Sequence, residues 1–240
     1  MKISVALAYH DGAEHIEEQL RSILNQFGKN DELILSVDRA FDGSMDLLKS
    51  WEERDKRIFL TLGPSRGVGK NYEHAISMCS GDLIFLSSQD DPWLPEKITR
   101  VKNAFHDKEV MAVVHDGKMM DEEARIEEET IWQKQRPRTG YLRNLWKNSY
   151  LGSCMAFRRE LIPYILPIPE AVYQYVYWIG TVAELAGKVV FLEEPLILYR
   201  NDNHTNKNIQ QESGKIMAKK RRDMLIALLK RKREIRNEKK

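Results

Sequence analysis

The chain has 240 residues, 42% of them hydrophobic and 31% charged, with a formal net charge of +2. That balance supplies a sizeable core, which excludes disorder throughout and fits an α/β domain, alone or with an appendage. Cys79 and Cys154 sit in apolar surroundings without metal-ligand spacing, so buried, reduced thiols in a cytoplasmic protein are expected.

The opening run Met1–Tyr9 is too short for a signal peptide and lacks a cleavage site, so it reads as a first strand over Ile3–Tyr9. No stretch is long enough to span a bilayer. A helix is expected over Glu14–Asn25, where Ile16, Leu20, Ile23 and Leu24 fall at helical spacing. Strands follow at Glu32–Val37, Ile58–Leu62 and Leu83–Ser87, separated by helices over Met45–Arg54 and Gly69–Met78. This alternation predicts a mostly parallel sheet with right-handed crossovers. Pro95–Phe105 reads as a helix and Val110–His115 as a strand. The polar stretch Asp121–Thr139 is long enough for a lid, as a mobile loop or helix. Gly140–Asn148 looks helical, Gly152–Phe157 strand-like, Val172–Ala186 helical, and Lys188–Leu192 and Leu196–Tyr199 strand-like.

The most informative segment is Gly81–Trp93, where the apolar run Leu83–Leu86 ends in Ser-Ser-Gln-Asp90-Asp91-Pro-Trp. In a buried parallel strand this places two carboxylates at the carboxyl edge, where α/β sheets bind ligands. Paired hard oxygen ligands suit Mg²⁺ or Mn²⁺, which neutralise a departing diphosphate. The competing reading is a helix-capping Asp before Pro92. Asp38 closes the second strand and could accept hydrogen bonds from a base or ribose. Asp42-Gly43-Ser44 opens the next helix, whose amides could receive phosphate or form an ordinary turn.

From Lys215 to Lys240 there are twelve Lys and Arg against three Asp and Glu, a net of +9 that leaves −7 for the rest. Within this tail Ile216, Met217, Met224, Leu225, Leu228 and Ile235 fall on one side of a helix. It either docks on a membrane surface or packs back onto the domain. Nucleic acid is not expected, because the basic residues lack interleaved aromatics and no recognition motif accompanies them.

Taken with Ile3–Tyr9, Glu18-Gln19-Leu20, Ser22–Gln26, Gly67–Glu73, Gln89–Lys97, Gly152–Phe157 and Glu193–Arg200, residues 1 to about 206 resemble glycosyltransferase family 2. These are nucleotide-diphospho-sugar transferases of GT-A fold, and the likeness is to bacterial rhamnosyltransferase-like members in particular. The resemblance implies a domain over 1–206, with a nucleotide-binding half (1–107), an acceptor half (108–206) and a basic helical tail (207–240). It implies inverting transfer from a UDP- or dTDP-sugar to a saccharide or lipid-linked acceptor in cell-surface polysaccharide synthesis, at the inner face of the plasma membrane if the tail docks there. By the same resemblance Ala8, Tyr9, Asp11, Asp38, Lys70 and Asp90 would bind the nucleotide. Asp91 with Asp90 would hold Mn²⁺ or Mg²⁺, Arg200 and His204 would meet the diphosphate, and Trp93, Tyr177 and Trp178 would meet the acceptor. Tyr173, Tyr175, Tyr177 and Trp178 form either a stacking platform or an aromatic core stripe.

The pattern departs from the family at four places. Val176 occupies the position of the acidic base that must deprotonate the acceptor hydroxyl. Ser88 stands where an Asp is usual, Arg39-Ala40 replaces Gly-Ser, and His204 is out of register with the family's late His. A slipped register would bring Glu170 or Glu184 to the acceptor; Asp116 or Asp202 could serve instead; or the base is lost and the protein is a silent sugar-nucleotide-binding subunit. A nucleotidyltransferase would want a Gly-rich basic loop after the first strand, which Tyr9-His10-Asp11-Gly12 does not offer.

Overall fold

A computed structural model describes residues 1–121, 123–137, 140–144, 148–200 and 214–238. Strand β1 (Ile3–His10) is followed by α1 (Ile16–Leu24), β2 (Glu32–Arg39), α2 (Ser44–Arg54), β3 (Ile58–Leu62), α3 (Val68–Met78), β4 (Leu83–Ser87) and α4 (Lys97–Ala104). Then come β5 (Val110–Met120), β6 (Ile126–Thr130), α5 (Ile131–Gln135), α6 (Tyr141–Asn144), β7 (Met155–Arg158), α7 (Ile162–Ile165), α8 (Tyr175–Ala186), β8 (Lys188–Arg200) and α9 (Gly214–Glu238).

The first half forms a parallel sheet in the order β3-β2-β1-β4. Strands β1 and β4 are central, and Ile3, Val5, Leu7 and Leu83–Leu86 are fully buried, as strands covered by helices on both faces must be. Helix α1 packs by Ile16, Leu20, Ile23 and Leu24, the stripe its spacing predicts. The sheet continues through β7, antiparallel to both β4 and β5, and β8 runs parallel to β5 along its whole length. The fold is therefore a mixed α/β sheet with a parallel nucleus, flanked by helices and closed by a terminal helix.

Helix α8 is apolar nearly all round, and Tyr177, Trp178, Ile179, Val182 and Ala183 are buried because α9 covers the side turned away from the sheet. Met224, Leu228 and Ile235 of α9 are buried in that contact, each contributing roughly 1.5–3 kcal/mol. The apolar stripe of the tail thus packs back onto the domain.

Two stretches differ from expectation. Strand β5 runs on to Met120, and within Asp121–Thr139 the described residues form a strand, β6, that the sequence does not announce, and a helix, α5, that it allows. Ile126-Glu-Glu-Glu-Thr130 has no apolar alternation to announce a strand; its antiparallel pairing with β5 makes it one. Thr130 then caps α5, its hydroxyl accepting from Gln133 N while the Gln133 side chain accepts from Thr130 N. The two expected late strands are one, because Pro195 and its neighbours continue along β5 through register shifts.

Candidate active-site cleft

Parallel strands β1, β2 and β4 end at the same edge of the sheet, and their terminal residues line a cavity of about 520 Å³. Ala8, Tyr9, His10, Asp38 and Arg39 form one wall, Gly67, Val68, Asn71 and Tyr72 of α3 another, and Ser88, Gln89 and Asp90 the floor. Gln89 fixes the floor to β1: its Oε1 accepts from His10 N at 2.8 Å and its Nε2 donates to His10 O at 2.9 Å. A second cavity of about 510 Å³ shares Val68, Tyr72, Ser88, Asp90 and Tyr175, and extends to Asn148, Tyr150, Ser153, Tyr173, Val176, Tyr199 and Arg200. Tyr72 and Tyr175 stack at 4.5 Å where the two meet. Together they make one long cleft of the size that takes small ligands.

The adjacent aspartates have different surroundings. Asp91 is buried; its Oδ2 accepts from the hydroxyls of Ser88 and Ser153, and its Oδ1 accepts from Arg200 N at 3.1 Å. Burial, and then the charge of Asp90, push its carboxyl up to about 6 against the pull of these donors. The Pro92–Leu94 segment is stitched to β8 by Leu94 N to Leu196 O and Leu198 N to Pro92 O, which holds the loop in place. Asp90 lines both cavities and makes no hydrogen bond or ion pair among the described residues. It is the open carboxylate of the pair. Arg200 lines the second cavity with a buried Nε that has no partner among the described residues, while its Nη2 lies 3.5 Å from Glu18.

Ala8, Tyr9, Asp38, Asp90, Asp91 and Arg200 thus line one cleft; the strand ends place Asp38, Asp90 and Asp91 at this edge, and the family resemblance implies Ala8, Tyr9 and Arg200. Asp38 accepts from Ser65 N and lies at the cavity wall. Asp11 does not face the cavity; it has a positive φ of 39° and accepts from Phe41 N, shaping the loop. The start of α2 is filled by Asp42, which accepts from Ser44 and Ala13 N–H and from the Tyr9 hydroxyl. Slight burial opposes ionisation there, but these donors bring its carboxyl down to about 2. No phosphate is needed to satisfy those amides.

Several expectations are corrected. Lys70 points away from the cleft, bonding Glu73 at 2.8 Å and the Ile168 carbonyl at 3.2 Å beside a different cavity. Trp93 is core: it packs on Phe85, donates to Ser87 Oγ, and lies under the Lys97 ammonium, 4.0 Å from the ring centre. Tyr177 and Trp178 are also core, with Trp178 Nε1 donating to Ile165 O. Of the four aromatics Tyr173 and Tyr175 line the cleft. Among the base candidates, Glu184 accepts from Gly140 N and lines neither cavity, Asp116 is buried and accepts from Gly117 N and Trp132 N beside a separate cavity, and Glu170 is exposed against Arg66. Asp202 and His204 lie outside the described residues. Val176 does line the second cavity, so the position that the resemblance assigns to an acid faces the cleft. Among the described residues Asp90 and Asp91 are the only carboxylates lining the second cavity, and Asp38 lines the first.

Sequence reasoning missed His10, Arg39, Asn71, Gln89, Ser153 and Tyr199 on the cleft walls. The first four sit at or beside the carboxyl ends of parallel strands or on the helix facing them, so that rule would have found them. Ser153 and Tyr199 come from antiparallel and late elements whose placement no local signal gives.

The cleft can accept hard cations at Asp90 and anions at Arg200. Among the described residues there is no cluster of three or more metal-binding side chains. One free carboxylate still fits a Mg²⁺- or Mn²⁺-type ion whose other ligands are phosphate oxygens and water.

The family model for glycosyl transferase family 2 matches residues 4–166. An uncharacterized glycosyltransferase of Nostoc sp. is 24% identical over 213 residues, which cover 83% of this chain and 65% of that protein. S. aureus TarS 1-349 in complex with UDP-GlcNAc superposes with a TM-score of 0.71 at 16% identity, over 95% of this chain and 66% of the TarS chain. The mannosyltransferase PcManGT from Pyrobaculum calidifontis, in complex with GDP-Man and Mn²⁺, gives 0.62 at 15% identity, over 97% and 73%. At these identities the structural likeness is one of fold. The chain spans just under two thirds of the Nostoc relative's length.

Proposed function

Because the chain belongs to glycosyltransferase family 2, we propose that its sheet-edge cleft binds a nucleoside-diphosphate sugar and transfers the sugar to a saccharide or lipid-linked acceptor. The observation that carries this is Asp90, a carboxylate without a partner among the described residues that stands where the two cavities join. The nucleoside occupies the first cavity, between Tyr9, Asp38 and α3, and the sugar and acceptor share the second. Residues 1–107 supply nearly all of the first cavity and 108–206 most of the second, which supports the division into nucleotide and acceptor halves. Relatives of this fold that hold UDP-GlcNAc or GDP-Man support a nucleotide-sugar donor, with UDP- or dTDP-sugars the first to try.

Asp90 rather than Asp91 is the direct ligand in this reading, since the oxygens of Asp91 are already taken by three donors. A divalent ion, Mn²⁺ or Mg²⁺, held there supplies charge neutralisation for the leaving diphosphate. Asp91 anchors the loop that presents Asp90, and the Arg200 guanidinium, lining the same cavity, adds positive charge toward the diphosphate. Inversion requires a base, and with Val176 in the acid's place the remaining candidate is Asp202. The product belongs to cell-surface polysaccharide synthesis.

The reading is tested by calorimetry of UDP with and without Mn²⁺. Asp90→Asn should abolish the Mn²⁺-dependent gain in affinity while thermal unfolding stays unchanged; an unchanged gain refutes the assignment. Asp202→Asn should lower transfer by about 10²–10⁴-fold without weakening UDP. Val176 itself favours a second reading, a silent sugar-nucleotide-binding subunit that partners an active transferase. Tight donor binding with no transfer or hydrolysis across a panel of UDP- and dTDP-sugars would select it.

A further inference from the structure

Helix α9 has two unlike faces. Its inner face is fixed to the domain: Met224, Leu228 and Ile235 are buried, the Arg231 guanidinium lies over the Trp178 ring at 5.6 Å, and the Lys220 ammonium lies over Tyr173 at 5.5 Å. The outer face is turned by half a revolution and carries Lys219, Arg222, Ile226, Leu229, Lys230 and Arg233, all exposed. Ile226 and Leu229 are 59% and 52% exposed, in the middle of the basic residues. The acidic residues of the helix lie at the flanks of this stripe, Asp223 paired with Arg222 and Glu234 with Arg231.

We propose that this outer face of α9 docks on an anionic phospholipid bilayer. Charge complementarity and the mixed chemistry of the face argue for that occupant. Basic side chains reach phosphate headgroups while two branched apolar side chains enter the boundary of the acyl region. Nucleic acid would use the charge but not Ile226 and Leu229. The inner stripe is consumed by α8, so the helix lies along the surface as a rigid part of the domain. No helix among the described residues is long and apolar enough to cross the membrane. Lys220 touches Tyr173, a wall of the second cavity, so docking brings the acceptor end of the cleft beside the bilayer. The docking stands on α9 alone; its value for a lipid-linked acceptor rests on the transferase reading.

Co-sedimentation of the full chain with vesicles tests it, comparing phosphatidylcholine alone with phosphatidylcholine plus phosphatidylglycerol. The chain should partition onto the anionic vesicles only, and lose that binding as salt rises. A Lys or Arg at an anionic surface is worth about fivefold in partition, so the triple variant Lys219→Glu, Lys230→Glu, Arg233→Glu should bind at least about 100-fold more weakly. Ile226→Ser with Leu229→Ser should weaken binding several-fold with the charge intact. All these positions are exposed, and unchanged UDP affinity and thermal unfolding confirm folded variants. Equal binding of wild type and triple variant, or no binding to anionic vesicles, overturns the proposal. So does a dimer of wild type in sedimentation velocity that the triple variant abolishes, which assigns the face to a second copy.

Discussion

Lys97 is the first residue of α4 and is wholly buried, its Nζ donating to the Ser153 carbonyl at 2.7 Å and facing the Trp93 ring. Burial depresses its pKa from 10.5 to about 7, against the opposing pull of Cys154 and Asp91. At about 1.4 kcal/mol per tenfold change in acidity, holding this ammonium costs the fold roughly 4 kcal/mol at pH 7. The sign follows from proton counts: between about pH 7 and 10.5 the unfolded chain binds the proton and the folded chain does not, so this residue's contribution to stability rises with pH. Lys97→Met removes the cost, but leaves the Ser153 carbonyl without its donor, roughly 1–3 kcal/mol. The variant should therefore be about 1–3 kcal/mol more stable than wild type at pH 7, and the difference should move by about 3 kcal/mol in favour of wild type by pH 10. Urea unfolding of both proteins across that range measures the difference. If the gap between them stays constant, the lysine is not a buried titrating group and the reasoning fails.

Gly180 faces Tyr150, and a Cβ there would meet three ring atoms at 2.6 Å; Gly180→Ala should destabilise by about 1–3 kcal/mol in denaturant unfolding and displace a cleft wall. Lys70→Ala should leave UDP affinity within about twofold, because its partners lie outside the cleft; a tenfold loss by calorimetry would restore it to the nucleotide site. Val176→Asp, placed in the Asp202→Asn background, should raise transfer by at least about tenfold, measured with the preferred donor. No gain would mean that an acceptor does not approach this wall.

The parallel half of the sheet was legible because each of its strands is a short apolar run followed by a helix with a 3.6-residue stripe. The ends of β1, β2 and β4 are then assigned to one edge, which brings Asp38, Asp90 and Asp91 together from the sequence alone, while Tyr9 comes only with the family resemblance. Residues off the strand ends were harder. Lys70 sits on a helix whose rotation decides whether it faces the cleft or the Ile168 carbonyl, and a helix of eleven residues with a mixed stripe leaves that open. Trp93, Tyr177 and Trp178 are aromatic side chains with one polar atom each, and composition alone does not separate a stacking surface from a core. Strand β6 was invisible for a related reason: its residues are polar on both faces, and only pairing with β5 orders them.

Adjacent aspartates suggest a matched pair of ligands, but their surroundings divide the work between them. Here one turns inward, where Ser88, Ser153 and Arg200 N hold it, and the other outward into the cleft. Ser88 then makes sense as a departure from the usual acid. An aspartate at 88 would set a second carboxylate against buried Asp91, whose pKa burial and Asp90 already raise, whereas a hydroxyl there donates to it. The serine and the buried aspartate are complementary, and among the described residues Asp90 is left as the open carboxylate at the junction of the two cavities.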